Sequence, residues 1–137
     1  MIKSSKRPKR QSAHGKLKAE ADAWVKAIIS NRQMGVCLRA TYPTNVTCGG
    51  PLQGAHILRK GGMYISLRHE LDNVVVMCRN HHLFWAHVDE HAFYEWIEQI
   101  FPGRIARLKE SALHRRKIDL QELICVLKDI YKKGASQ

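Results

Sequence analysis

Leu71-Asp72-Asn73-Val74-Val75-Val76-Met77-Cys78-Arg79-Asn80-His81-His82 is the stretch on which the fold turns. Its β-branched run, Val74 to Val76, predicts a buried strand over residues 71–77 that leads directly into Cys78. Cys78 and His81 are separated by two residues, a spacing that tetrahedral zinc sites commonly use. Beyond the strand, His81 to Ala86 reads as the start of a helix.

Upstream, Cys37 and Cys48 offer a second pair of ligands with a looser spacing, closed by a loop through Thr41 to Thr47. The segment from Gly35 to Gly62 is rich in Gly, Pro, Thr and Asn, so short strands and turns are expected there. Such a segment has little to bury, and a metal supplies folding free energy that packing cannot. The four residues Cys37, Cys48, Cys78 and His81 are therefore read as a structural zinc site. The competing reading is three unrelated buried cysteines. Cys125 is read as packing.

Further out the pattern is helical. Ala21, Trp24, Val25, Ile28 and Ile29 recur at steps of three and four, predicting a helix over residues 16–31. Asp89 is a plausible cap for a helix carrying Phe93, Trp96, Ile97 and Ile100, ended by Pro102 and Gly103. A basic helix follows over residues 104–115. Asp119 with Glu122 forms a capping box for a last helix starting near Leu120. The apolar face of that helix, Leu120 to Tyr131, needs a partner, either the N-terminal helix or a second protomer. The fold class is α+β, with one domain over residues 16–137, its core at about 35–91 and C-terminal helices over 92–134. Residues 1–15 are expected to form a flexible basic arm.

The chain has 137 residues and a formal net charge of +11. That size suits a single core. The charge exceeds what solubility asks of a small domain, about 2 to 8 in magnitude, and points to a polyanionic partner. No apolar run reaches the roughly 18 residues of a membrane span, and no hydrophobic segment follows the basic N-terminus as a secretory signal requires. A cytosolic protein is expected, and its four cysteines are better read as ligands or core residues than as disulfides.

Together, Cys37 and Cys48, the Ala55-His56-Ile57 strand, Arg68, the Asp72-Asn73-Val74 step and Cys78-Arg79-Asn80-His81-His82 resemble the HNH nucleases of the ββα-metal fold. Among these, the chain is similar to small phage recombination nucleases of the NinG and DUF1364 types. The resemblance covers about residues 35–91. It implies a zinc-stabilised ββα-metal core with flanking helices, and a metal-dependent endonuclease that hydrolyses DNA phosphodiester bonds. The substrate it implies is branched or single-strand-containing DNA, and the location is the host cytoplasm of a phage or prophage protein. His56 would be the general base, His82 would hold a catalytic divalent ion (Mg²⁺, Mn²⁺ or Zn²⁺), and Asn73 would fix the loop and orient the imidazole.

The sequence departs from the family pattern at Ala55, where many members place an Asp or His as a second metal ligand. The first replacement candidate is His87, followed by Asp89 and His91; for His87 and His91 the competing reading is a solvated helix face. For His56 the competing reading is a core histidine, and for Asn73 a turn residue before a strand. Arg59, Lys60 and Arg68, with Lys6, Arg7, Lys9 and Arg10 of the arm, are candidate phosphate contacts. Arg104, Arg107, Lys109, Arg115, Arg116 and Lys117 form a second basic run. Two other functions fit the same residues: a non-catalytic zinc-bearing DNA-binding module, and a sequence-selective HNH nuclease of the restriction or homing type. The oligomeric state is open, and a homodimer would supply the two active sites that paired nicks across a junction need.

Overall fold

The computed structural model describes residues 12–39, 45–59, 62–114 and 117–135. Lys6, Arg7, Lys9, Arg10, Lys60, Arg115 and Arg116, all expected phosphate contacts, lie outside the described residues, as does most of the Thr41 to Thr47 loop. The fold is α+β, with the elements α1 (Ala13–Arg32), β1 (Leu52–His56), β2 (Val74–Cys78), α2 (Arg79–His81), α3 (Glu90–Ile100), α4 (Arg104–Leu113) and α5 (Leu120–Ala135).

Helix α1 starts at Ala13, three residues before the expected start, because Ser12 caps it: its Oγ accepts from Gly15 N at 3.0 Å. The first turn of α1 therefore occupies part of the segment assigned to the arm. Strand β2 starts at Val74, not Leu71, because residues Leu71–Asn73 form a short 3₁₀ turn. The two strands pair antiparallel, from Leu52 opposite Cys78 to His56 opposite Val74.

Strand β2 is buried on both faces, which explains its unbroken apolar run. Val74 and Val76 face a core built from Ala21, Val25, Ile28 and Ile29 of α1 with Ile124 and Leu127 of α5. Val75 and Met77 face a second core containing Ala55, Ile57, Trp85, Phe93, Trp96 and Ile97. The α5 face thus finds its partner in α1, where Tyr131 meets Trp24 edge-on at 5.4 Å.

The free edge of β2 is closed by polar groups from the end of α1. Gln33 Oε1 accepts from Val76 N at 2.9 Å and Gln33 Nε2 donates to Val76 O at 2.8 Å. Leu38 N also donates to Val76 O, at 3.0 Å. These bonds cover the strand edge and bring Cys37 alongside the strand that ends in Cys78. Among the described residues, no helix is long and apolar enough to cross a membrane.

Candidate metal centre and the adjoining cleft

The ligand atoms of Cys37, Cys48, Cys78 and His81 all lie within 4.8 Å of one another. The Nδ1 of His81 sits 3.7 Å from Cys37 Sγ, 3.3 Å from Cys48 Sγ and 3.2 Å from Cys78 Sγ. Three sulfurs and one imidazole nitrogen converging in this way fit a structural zinc.

Local sequence explains the convergence. Cys78 caps α2, its Sγ accepting from His81 N at 3.4 Å, so the strand end and the first helical turn present two ligands together. The Cys48 segment docks on that turn through Arg79 N to Pro51 O at 2.9 Å and Asn80 N to Gly49 O at 3.2 Å. The approach is close enough to exclude side chains. A Cβ on Gly49 would lie 2.6 Å from Asn80 Nδ2, and one on Gly50, whose φ is +78°, would lie 2.8 Å from Arg79 Cβ.

The thiols are electrostatically unequal. Burial raises the Cys78 thiol, but hydrogen bonds from the His81 and Gly49 backbone, with His81 and Cys48 side chains, outweigh it and bring the thiol down to about 6. Desolvation and the neighbouring Cys78 and Cys37 push Cys48 up to about 12. Three thiolates held side by side require a cation, which is the chemistry of a zinc donor set.

Beside this centre lies a cleft of about 760 Å³ between α1 and the sheet edge, with Asp22, Lys26, His56, Arg59, Arg68, His82 and His87 among its lining residues. His56 reaches it from the end of β1, its Nε2 donating to Arg68 O at 2.9 Å. That bond selects the Nε2–H tautomer of the neutral ring and makes Nδ1 the nitrogen with the lone pair. His82 Nδ1 donates to Gln53 Oε1 at 2.9 Å, leaving Nε2 as its ligating nitrogen. Burial, followed by the charges of His87 and His56, lowers His82 to about 4, so it is neutral at physiological pH.

His82 and His87 meet edge-on with ring centroids 4.5 Å apart. Five residues along a regular helix would set them about 140° apart. Here residues His82–Ala86 form a widened turn, closed by His87 N donating to His82 O at 3.1 Å, and both rings come to one side. Ala55 lies beside these two rings. The alanine is packed in the second core at 2% exposure. It also lines a small cavity of about 40 Å³ shared with His82, His87 and Ala86.

The remaining expected site residues take up other contacts. Asp89 caps α3, accepting from Ala92 N at 3.1 Å, and exposed His91 pairs with Glu95 at 3.0 Å, so neither joins His82. Asn73 is fully buried and contacts main chain: its Oδ1 accepts from Leu58 N at 2.8 Å, and its Nδ2 donates to Leu58 O at 3.0 Å and Leu67 O at 3.2 Å. Arg59 reaches Glu90 at 3.3 Å. The guanidinium of Arg68 is engaged by Asp22.

Asp22 and Lys26, which line the cleft, and Gln53, which holds His82, are residues that sequence reading missed. Gln53 carried a weak signal, two residues before Ala55 on the same strand face; Asp22 and Lys26 read as ordinary polar positions of α1. Comparison with protein-family models, with curated proteins and with solved structures returned no match.

Proposed function

We propose that the chain is a metal-dependent endonuclease of the HNH type, hydrolysing DNA phosphodiester bonds at the His56 cleft, with the Cys₃His centre as its structural zinc. The observation that carries this reading is the pairing of His56 and His82 in one cleft, each with its tautomer set by a hydrogen bond to a fixed acceptor. The order β1, β2, α2 around them is the order a ββα-metal core requires.

In this reading His56 Nδ1 takes the proton from the attacking water, a task suited to an imidazole near neutral pH. His82 and His87 would hold a divalent ion, with water and phosphate oxygens completing its shell, as hard cations commonly allow. When bound, that ion supplies positive charge against the phosphate oxygens on which charge builds. Asn73 locks the loop after β1 to the entrance of β2, so the cleft wall keeps its shape. Lys26 and Arg59 line the cleft and would contact flanking phosphates, giving affinity without sequence information. Branched or single-strand-containing DNA is the substrate favoured by the resemblance to phage recombination nucleases.

A second reading, a zinc-built DNA-binding module without catalysis, is favoured by one observation. Among the described residues, the Cys₃His group is the sole convergence of three or more ligating side chains, and Ala55 contributes none to His82. The two readings separate in one assay: zinc-loaded protein with supercoiled, single-stranded and branched DNA in Mg²⁺ or Mn²⁺, beside His56→Ala. Cleavage by the native chain alone is expected. Salt-dependent binding by both chains without cleavage would replace the nuclease by the binding module.

A further inference from the structure

His56 is held through a main-chain atom, the Arg68 carbonyl, so the direction of its ring follows the position of residues 67–69. Asn73 and Asp22 both tie that segment down. Asn73 holds its start, donating to Leu67 O at 3.2 Å. Asp22 holds its middle: Oδ1 accepts from Arg68 Nε at 3.0 Å and Oδ2 from Arg68 Nη2 at 2.6 Å. His69 Nε2 lies 2.9 Å from the same carboxylate, a close contact rather than an aligned hydrogen bond.

The Arg68 pairing is a two-pronged fork, whose parallel bonds fix orientation as well as distance. Asp22 is in turn set by a rigid element, since Ala21 and Val25 on either side of it in α1 are 0% and 2% exposed. Burial raises the Asp22 carboxyl, but Arg68 and then His69 outweigh it and hold the group below its ordinary value, so the clamp is ionised at neutral pH.

We propose that Asp22 is a positioning residue of the site: by clamping Arg68 it fixes the carbonyl that keeps His56 in its Nε2–H tautomer. The inference rests on the reading of His56 as the base. It also gives Arg68 a different task from the phosphate contact expected of it, because its fork is taken up by a carboxylate of the same chain. Asp22 acts through this segment and takes no part in the bond-making itself.

The test uses the full zinc-loaded chain and two variants, Asp22→Asn and Asp22→Glu, each first checked for a native amide spectrum. Imidazole nitrogen shifts at a pH where His56 is neutral read its tautomer directly, and kcat and KM for cleavage of a DNA substrate read the consequence. The expected result is a wild-type ring in the Nε2–H form and a mixture of tautomers in Asp22→Asn. With it, kcat falls about tenfold or more while KM stays nearly constant, as misplacement of a reacting group predicts. Asp22→Glu, which keeps the charge, should recover most of both. An Asp22→Asn ring with an unchanged tautomer overturns the proposal, and so does a loss confined to KM. The nitrogen shifts require no turnover: if wild-type protein cuts nothing, the nuclease reading fails, and the tautomer comparison still decides the role of Asp22.

Discussion

At the scale of single residues, the molecule separates groups that bind from groups that hold binders in place. Asn73 belongs to the second kind. Fully buried, it satisfies the Leu58 amide, the Leu58 carbonyl and the Leu67 carbonyl at once. Asn73→Ala would strand these three backbone groups away from water, and it is expected to cost about 2–4 kcal/mol by denaturant unfolding. Asn73→Asp should cost a comparable amount, since it keeps the acceptor for Leu58 N but turns an oxygen towards two carbonyls. A loss below about 0.5 kcal/mol in both would mean that water replaces the side chain. The Cys₃His cluster was legible in the sequence because Cys78 and His81 are neighbours on a strand end and a helix start. Asp22 was not legible: its partner Arg68 lies 46 residues away, and no local pattern reports a contact at that distance.

At the scale of elements, the strand and helix boundaries followed from caps and periodicity, with departures that have physical causes. The side-chain cap at Ser12 advances the start of α1, and the 3₁₀ turn around Asn73 delays β2. The widened turn over His82–Ala86 was beyond sequence reading, since a helix-forming stretch does not announce where its hydrogen bonds lengthen to five residues. Yet this irregularity is what turns His87 towards His82. The partner of α5, left open between α1 and a second protomer, is α1 in the folded chain. Leu127, 2% exposed in that contact, tests the packing. Leu127→Ala is expected to lower stability by about 2–4 kcal/mol, whereas Val126→Ala, at a position 55% exposed, should stay within about 0.5 kcal/mol. Equal effects of the two changes would contradict the assignment of that face.

At the scale of the whole molecule, one strand joins two cores. Val74 and Val76 serve the core of α1 and α5, while Val75 and Met77 serve the aromatic core that carries Trp85 and Trp96. His81 meets Trp85 edge-on with ring centroids 6.5 Å apart, so the metal centre is continuous with the second core. Loss of zinc should therefore propagate through β2 to both halves. Structural zinc binding is worth about 10–16 kcal/mol in small domains, as much as the whole stability of a typical one. Stripping the metal with an excess of a strong chelator is expected to abolish the cooperative thermal transition, and restoring zinc should bring it back. An unchanged Tm after verified zinc removal would return the three cysteines to the role of ordinary core residues.

In the proposed reaction His56 takes a proton from water during phosphodiester cleavage. Chemical rescue tests it most directly, by following nicking of supercoiled DNA in Mn²⁺ by native protein and by His56→Gly, with and without added imidazole. His56→Gly is expected to bind DNA but nick it slowly, and imidazole should restore the rate in a concentration-dependent way by occupying the space of the lost ring. Full activity of His56→Gly without imidazole would contradict the assignment of the base, and an inactive native protein would contradict the nuclease itself.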